Sequence, residues 1–279
     1  MSKMLLRKLL YPVLAAGLLL SGASLTAAAE LEFPFRVKYR DLSPIETEEL
    51  ALIYNDAIIV DSRDAREYKV IHMNGAGNIP VDRLREKDLL ALREKKSSTP
   101  LVFYSNDTTC SNSYKAGARA TEWGFANVRI YDAGIFYWVQ NHPGKTDFFG
   151  RPMTRETLKT SLISKEDFNR KQLATEHFID KANSGKYTII DLREPNERSE
   201  SPIRFPKMKQ LTVDLLISLI EKQSIAVPRS GILILDNVGK QVEWVQYYFE
   251  KEGITDYYFL KKGVLQWKKD GYDPAGKKE

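Results

Sequence analysis

Short apolar runs alternate with amphipathic stretches along this chain, and the alternation occurs twice. The first round opens on Ala57-Ile-Ile-Val-Asp61-Ser-Arg63. It continues with the run Pro100-Leu-Val-Phe-Tyr104, a polar loop, and a helical pattern from Tyr114 to Trp123. The second round opens on Tyr187-Thr-Ile-Ile-Asp191-Leu-Arg193 and continues with Ile232–Leu235, another polar loop and another helical pattern. Short β-branched runs of this kind read as strands buried on both faces, which belong to parallel sheets covered by helices. The segment from Glu122 to Gly134 then aligns with that from Lys251 to Gly263, and each copy places a Trp four positions later, at Trp138 and Trp267. Asp61 to Ser105 spans 44 positions and Asp191 to Asp236 spans 45, while Gly124–Gly134 and Gly253–Gly263 both span 10. A register held across these landmarks predicts a duplicated α/β unit, over 38–147 and 160–274, joined by a linker at 148–159. Gly124 and Gly253 stand where a helix ends in a residue with positive φ.

These landmarks resemble the rhodanese fold in tandem, as in two-domain sulfurtransferases. The first copy carries Asp61-Ser-Arg63, then Tyr68, then His72-Met-Asn-Gly75-Ala76-Gly-Asn78-Ile79-Pro80. It goes on through the strand Val102–Tyr104, Gly124-Phe125-x-Asn127-Val128 and Gly134-x-x-x-Trp138. The stretch from His72 to Pro80 is similar to the family's His-x-x-Gly-Ala-x-Asn-Ile-Pro signature. The resemblance implies an α/β fold class, two tandem rhodanese-like domains, each a mainly parallel sheet flanked by helices. It also implies a cysteine at the strand end that carries sulfane sulfur. Here that position is Ser105 in the first copy and Asp236 in the second. A longer family loop, Cys-x-x-x-x-Cys-x-x-Ser, is also similar: Ser105 replaces its first cysteine, and Cys110 and Ser113 match the rest. The second copy lacks the His-x-x-Gly-Ala signature at Glu200–Pro206, and Asp236 cannot carry sulfur. The first copy is therefore the expected catalyst, and the second a degenerate unit that stabilises it and shapes its cleft.

Cys110 is the only cysteine, and it lies in the polar loop from Ser105 to Ser113. A strand, a tight loop and a helix start direct backbone N–H groups and the helix dipole at one spot, which favours an anion there. A thiol at that spot tends towards the reactive thiolate. Cys110 is thus the candidate nucleophile, with Ser105, Asn106, Thr108, Thr109, Ser111, Asn112, Ser113 and Lys115 as candidate binding residues. Lys115 and Arg119 share one helix face, with Arg119 read as a surface charge. Residues 105–114 hold no Lys or Arg, which weakens binding of a dianion such as thiosulfate. By the resemblance Asp61, Arg63 and His72 are architectural. No Cys/His spacing suggests a metal site, and no cofactor is implied. Six positions after Cys110 stands Ala116, and six after Ser105 stands Ser111, so the Cys-x5-Arg phosphate clamp is excluded. Trp123, Trp138, Trp244 and Trp267 read as core or interface aromatics, with Trp138 also placed as a pocket wall.

Residues 1–29 read as a secretory signal peptide: Lys3, Arg7 and Lys8 precede an apolar stretch from Leu9 to Leu20 and small residues through Ala29. A soluble, monomeric periplasmic protein is expected. The chain's net charge of +5 falls to about +2 without those residues, so the basic balance does not point to nucleic acid. A single cysteine forms no intramolecular disulfide, so stability rests on packing. Two functions remain open on the sequence. One is a sulfurtransferase using a small anionic sulfur donor and a thiol acceptor. The other is a non-catalytic module that binds an oxyanion or a periplasmic redox partner.

Overall fold

The computed structural model describes residues 32–278; the signal peptide expected over 1–29 lies outside the described residues. Two five-stranded sheets, both parallel, organise the chain. The first has the spatial order Ser43–Pro44, Val128–Tyr131, Leu101–Tyr104, Ile58–Asp61, Gly77–Asn78. The second runs Gln172–Leu173, Tyr257–Leu260, Ile232–Leu235, Thr188–Asp191, Met208–Gln210. Ranked by chain position, both orders read 1-5-4-2-3. Even the central register repeats, with Asp61 opposite Tyr104 and Asp191 opposite Leu235. The spacing in the sequence thus corresponds to one topology built twice.

Leu101–Tyr104 and Ile232–Leu235 are buried along their whole length, as central strands covered on both faces must be. Around the first pack Leu89, Tyr114, Ala116, Ala120, Phe125 and Ile130; around the second, Phe178, Ile189, Leu260, Val264 and Trp267. The helices Asn112–Glu122 and Gln241–Lys251 follow these strands and end before Gly124 and Gly253, at φ +83° and +69°. The linker stretch at 148–159 is more structured than its Gly and Pro suggest. Thr146–Phe148 and Arg151–Pro152 join Ile71–Met73 in a small antiparallel sheet, and a helix covers Arg155–Ser161.

The two halves meet through aromatic residues. Trp244 stacks on Phe136 at 5.9 Å, and Tyr248 meets Phe149 edge-on at 5.3 Å. The Tyr248 hydroxyl donates to the Arg66 carbonyl at 3.0 Å, and Lys69 pairs with Glu221 at 2.7 Å. His72 stacks on Tyr68 at 3.8 Å, and its Nδ1 donates to the Tyr68 carbonyl at 2.7 Å. That is a structural setting, as its sequence context suggests.

Gly134 and Gly263 sit at matching helix starts with φ +79° and +64°. Each presses on the loop that follows the central strand. A Cβ on Gly134 would lie 2.3 Å from the Asn106 carbonyl oxygen, and one on Gly263 would lie 2.5 Å from the Asn237 carbonyl. Gly134→Ala is therefore expected to lower stability by about 2–4 kcal/mol in urea unfolding, combining strain and a backbone clash. Gly124→Ala, with positive φ but open space around the site, should lose only about 1 kcal/mol.

Candidate functional site

Asp61 ends the second strand of the first sheet, and Arg63 folds back onto it. Their side chains are fully buried and paired at 2.6 Å. The guanidinium also donates to the Ile71 carbonyl at 2.5 Å and to Asn106 Oδ1 at 3.0 Å. Burial works against this charge, yet the Asp61 carboxylate outweighs it and raises the guanidinium above its usual pKa. One side chain thereby fixes the strand end, the segment entering the small sheet and the first residue of the Cys110 loop's cleft face. The second half repeats the device: Arg193 pairs with Asp191 at 2.7 Å and donates to the Ser201 carbonyl at 2.5 Å.

The loop from Ser105 to Ser111 is held from inside. Ser105 is fully buried; its hydroxyl donates to the Cys110 carbonyl at 3.2 Å and lies 3.4 Å from Ser113 Oγ. Asp107 turns on its own loop: its Oδ1 accepts from the Thr109 amide at 2.8 Å and the Thr109 hydroxyl at 2.7 Å. The Cys110 amide donates to the Asp107 carbonyl at 3.2 Å. Among the described residues, the amides of Ser111 to Tyr114 find no acceptor, so four donors remain at the start of the helix Asn112–Glu122.

Cys110 is half-buried and borders a cleft of about 780 Å³. Of the sequence's candidates, Asn106, Thr109, Cys110, Ser111 and Asn112 line this cleft. Ser105 and Ser113 lie beneath the loop, and neither Thr108 nor the exposed Lys115 reaches the cleft wall. Arg119 instead donates to the Val81 carbonyl at 2.5 Å. Trp138 is fully buried in the first core and walls no part of the cleft; Trp244, from the second half, does.

Most of what the sequence reading missed comes from elsewhere in the chain. Ser62, Asp64, Arg66, Glu67 and Asp82 line the cleft from the first half, and Val213, Lys240, Gln241, Glu243 and Trp244 from the second. One local signal existed. Asp64-x-x-Glu67 is a capping box, in which Asp64 caps the helix Ala65–Val70 and Glu67 accepts from the Asp64 amide at 3.2 Å. That box carries Glu67 to the cleft, where Asn106 Nδ2 donates to it at 3.0 Å. Desolvation raises the Glu67 carboxyl above its ordinary value. Desolvation, then the neighbouring Asp107 and Glu67 carboxylates, does the same for Glu243.

In the second half, the loop after Ile232–Leu235 holds its own anion. Asp236 is buried, and its carboxylate accepts from the Gly239 amide at 2.6 Å and the Gln241 amide at 2.9 Å. Burial raises this carboxyl, and those amides oppose the rise. Asp236 thus does more than lack a sulfur: it occupies the Gly239 and Gln241 amides and secures the loop that presents Lys240 to the cleft.

Residues 46–141 match the Rhodanese-like domain family. Among curated relatives, the thiosulfate sulfurtransferase GlpE of Pseudomonas entomophila is 29% identical over 109 residues, spanning 39% of this chain and 93% of that protein. The thiosulfate:glutathione sulfurtransferase of Saccharomyces cerevisiae is 23% identical over 104 residues, spanning 33% of this chain and 71% of that protein. The tRNA uridine(34) hydroxylase of Hamiltonella defensa is 29% identical over 117 residues, and this chain spans 32% of its length. Among solved structures, a thiosulfate sulfurtransferase from Pseudomonas aeruginosa aligns at 17% identity and a TM-score of 0.39, covering 82% of this chain and 43% of that one. The matched family span holds the first central strand, the Cys110 loop and the helix after it. The match thus covers the first sheet from Ile58–Asp61 to Val128–Tyr131, a region similar in sequence to rhodanese-like domains and sulfurtransferases, and the second sheet lies outside the matched span.

Asp61→Asn would leave the buried Arg63 charge without its counter-ion, and a loss of about 3–5 kcal/mol is expected in chemical denaturation. Glu243 makes no ion pair and no hydrogen bond among the described residues, so Glu243→Gln should be slightly stabilising at pH 7. Its folded pKa lies above 4.5, so the native protein binds its proton more readily than the unfolded chain and loses stability as pH rises through that window. The gain from Glu243→Gln should therefore vanish below about pH 4. Glu243 lines the cleft yet stays accessible to solvent, so screening should hold the gain to roughly a few tenths of a kcal/mol.

Proposed function

We propose that this protein is a rhodanese-like sulfurtransferase, exported to the periplasm, in which Cys110 carries sulfane sulfur as a persulfide. The observation that carries this reading is the place of the lone cysteine. It borders the cleft beside the four free amides at the helix start, on the span that matches the family. The Cys110 thiolate attacks the outer sulfur of a donor. A new S–S bond forms, the donor's own bond to that sulfur breaks, and the leaving group departs with the electron pair. Free amides at 111–114 then face the negative terminal sulfur, as donors at a helix start stabilise anions generally. A thiol acceptor takes the terminal sulfur in the second step and returns Cys110 to its thiolate. The residues of the second half act as a cleft wall rather than a second centre, and the chain works as a monomer.

One feature favours the second reading, a non-catalytic module that binds a redox partner. Both loops already satisfy amides with carboxylates of their own, Asp107 and Asp236. Mass spectrometry of the intact protein separates the two. Incubation with a sulfane donor followed by gel filtration should add one sulfur atom to Cys110, reversed by an excess of thiol and absent in Cys110→Ser. A thiol left unmodified by every donor would remove the transferase reading and leave the binding one.

A further inference from the structure

We infer that the donor taken by this cleft is a small persulfide whose carrier bears a positive charge, and that Glu67 and Glu243 select it. The inference rests on the transferase reading and names its substrate class. The charges around the cleft are unequal. Asp64, Glu67, Asp82, Asp107 and Glu243 line it, against Arg66 and Lys240. Arg66 is already committed: its Nε lies 2.7 Å from Asp64 Oδ1 and 3.4 Å from Asp214 Oδ1. Setting that pair aside leaves four carboxylates on the lining against the ammonium of Lys240; the Arg63 guanidinium, which also acts on Glu67, lies buried behind them and is paired with Asp61.

Those carboxylates come from separate elements brought together by the fold. Glu67 is held by the capping box and by Asn106, Asp107 by its loop, and Glu243 stands on the opposite wall, from the helix Gln241–Lys251. Glu243 lies near enough for both Asp107 and Glu67 to act on it. The carboxylates and the cysteine share one cavity, so a donor that reaches Cys110 must enter their field. A dianion such as thiosulfate is opposed by each of them, and repulsion acts over about 8–10 Å at ordinary ionic strength. A carrier with an ammonium group is attracted instead, and a cavity of about 780 Å³ admits a small molecule.

The transfer balances without an added oxidant. The Cys110 thiolate attacks the terminal sulfur of R–S–SH, the donor's S–S bond breaks, and R–S⁻ leaves with the electron pair and takes up a proton from water. Cys110 is left as Cys–S–SH. Sulfane sulfur moves between two thiols with no change in overall oxidation.

The test uses donors that differ in charge and little in shape: the persulfides of cysteamine, N-acetylcysteamine and 3-mercaptopropionate, with thiosulfate alongside. Loading of Cys110 is followed by mass at low salt. The cysteamine persulfide is expected to react about tenfold faster than the mercaptopropionate one, with the acetylated donor between and thiosulfate slowest. That spread should shrink to about twofold at 0.5 M salt, where screening is short-ranged. It should shrink similarly in Glu67→Gln/Glu243→Gln, and in Glu243→Gln alone if the double variant folds poorly. Equal rates across the series, or thiosulfate as the fastest donor, would overturn the inference and leave the transferase reading intact. Failure of all four donors to load Cys110 would overturn the transferase reading, and this inference with it.

Discussion

The buried Asp–Arg pair at the end of each second strand is the constraint on which the rest of the site depends. A guanidinium sealed from water is tolerable only with a counter-ion and acceptors for its remaining N–H groups. Asp61 supplies the charge, and Ile71 and Asn106 supply the acceptors. Satisfying Arg63 therefore forces three segments into one place: the strand end, the entry to the small antiparallel sheet, and the loop that bears Cys110. In the second half Arg193 makes the same demand, and the Ser201 carbonyl answers it. The pair survives in both copies although the chemistry at their loops differs, consistent with a role in building the loop platform.

On that platform the two loops settle their exposed amides in different ways. The first uses Asp107 for Thr109 and leaves the helix start open beside a cysteine. The second places Asp236 at the strand end and turns its carboxylate onto Gly239 and Gln241. A carboxylate tethered in its own loop outcompetes a free anion, because it loses no translational freedom on binding. The second loop is thus latched by its own carboxylate. What the latch holds is useful to the other half, since the residues it fixes lead directly into Lys240, Glu243 and Trp244 on the cleft wall.

Much of the fold was legible in the sequence because its signals are local. Strand composition, helix-ending glycines and the spacing of Asp61, Ser105, Gly124 and Gly134 are set by backbone geometry within each unit, and the second unit repeats them. The same holds for the loop's position after a central strand. The cleft's charge was not legible. The loop contains no basic residue, which suggested only a weak anion site. Its actual surroundings come from Glu67, carried in by a capping box, and from residues well over a hundred positions away on the helix Gln241–Lys251. No periodicity links Glu243 to Cys110; only the packing of one half on the other does. Trp138 and Trp244 show the same limit. Both are aromatic and sit in similar apolar contexts, but Trp138 is enclosed by Tyr54, Tyr131 and His142, whereas Trp244 projects across the interface onto Phe136.

The helix Gln241–Lys251 therefore has two allegiances. By topology it is the second half's counterpart of the helix that follows Cys110, with its start closed by Asp236. By contact it is a wall of the first half's cleft, anchored by Trp244 on Phe136 and by Tyr248 on the Arg66 carbonyl. A helix whose start is closed by a carboxylate of its own loop can change its outer face without harming that loop. Its inner face must still keep Val242, Val245 and Phe249 buried. Selection on the outer face can then act on the neighbouring site, and the placing of Glu243 opposite Glu67 is the kind of change that division permits. The second half thereby sets much of the charge of a cleft whose cysteine belongs to the first.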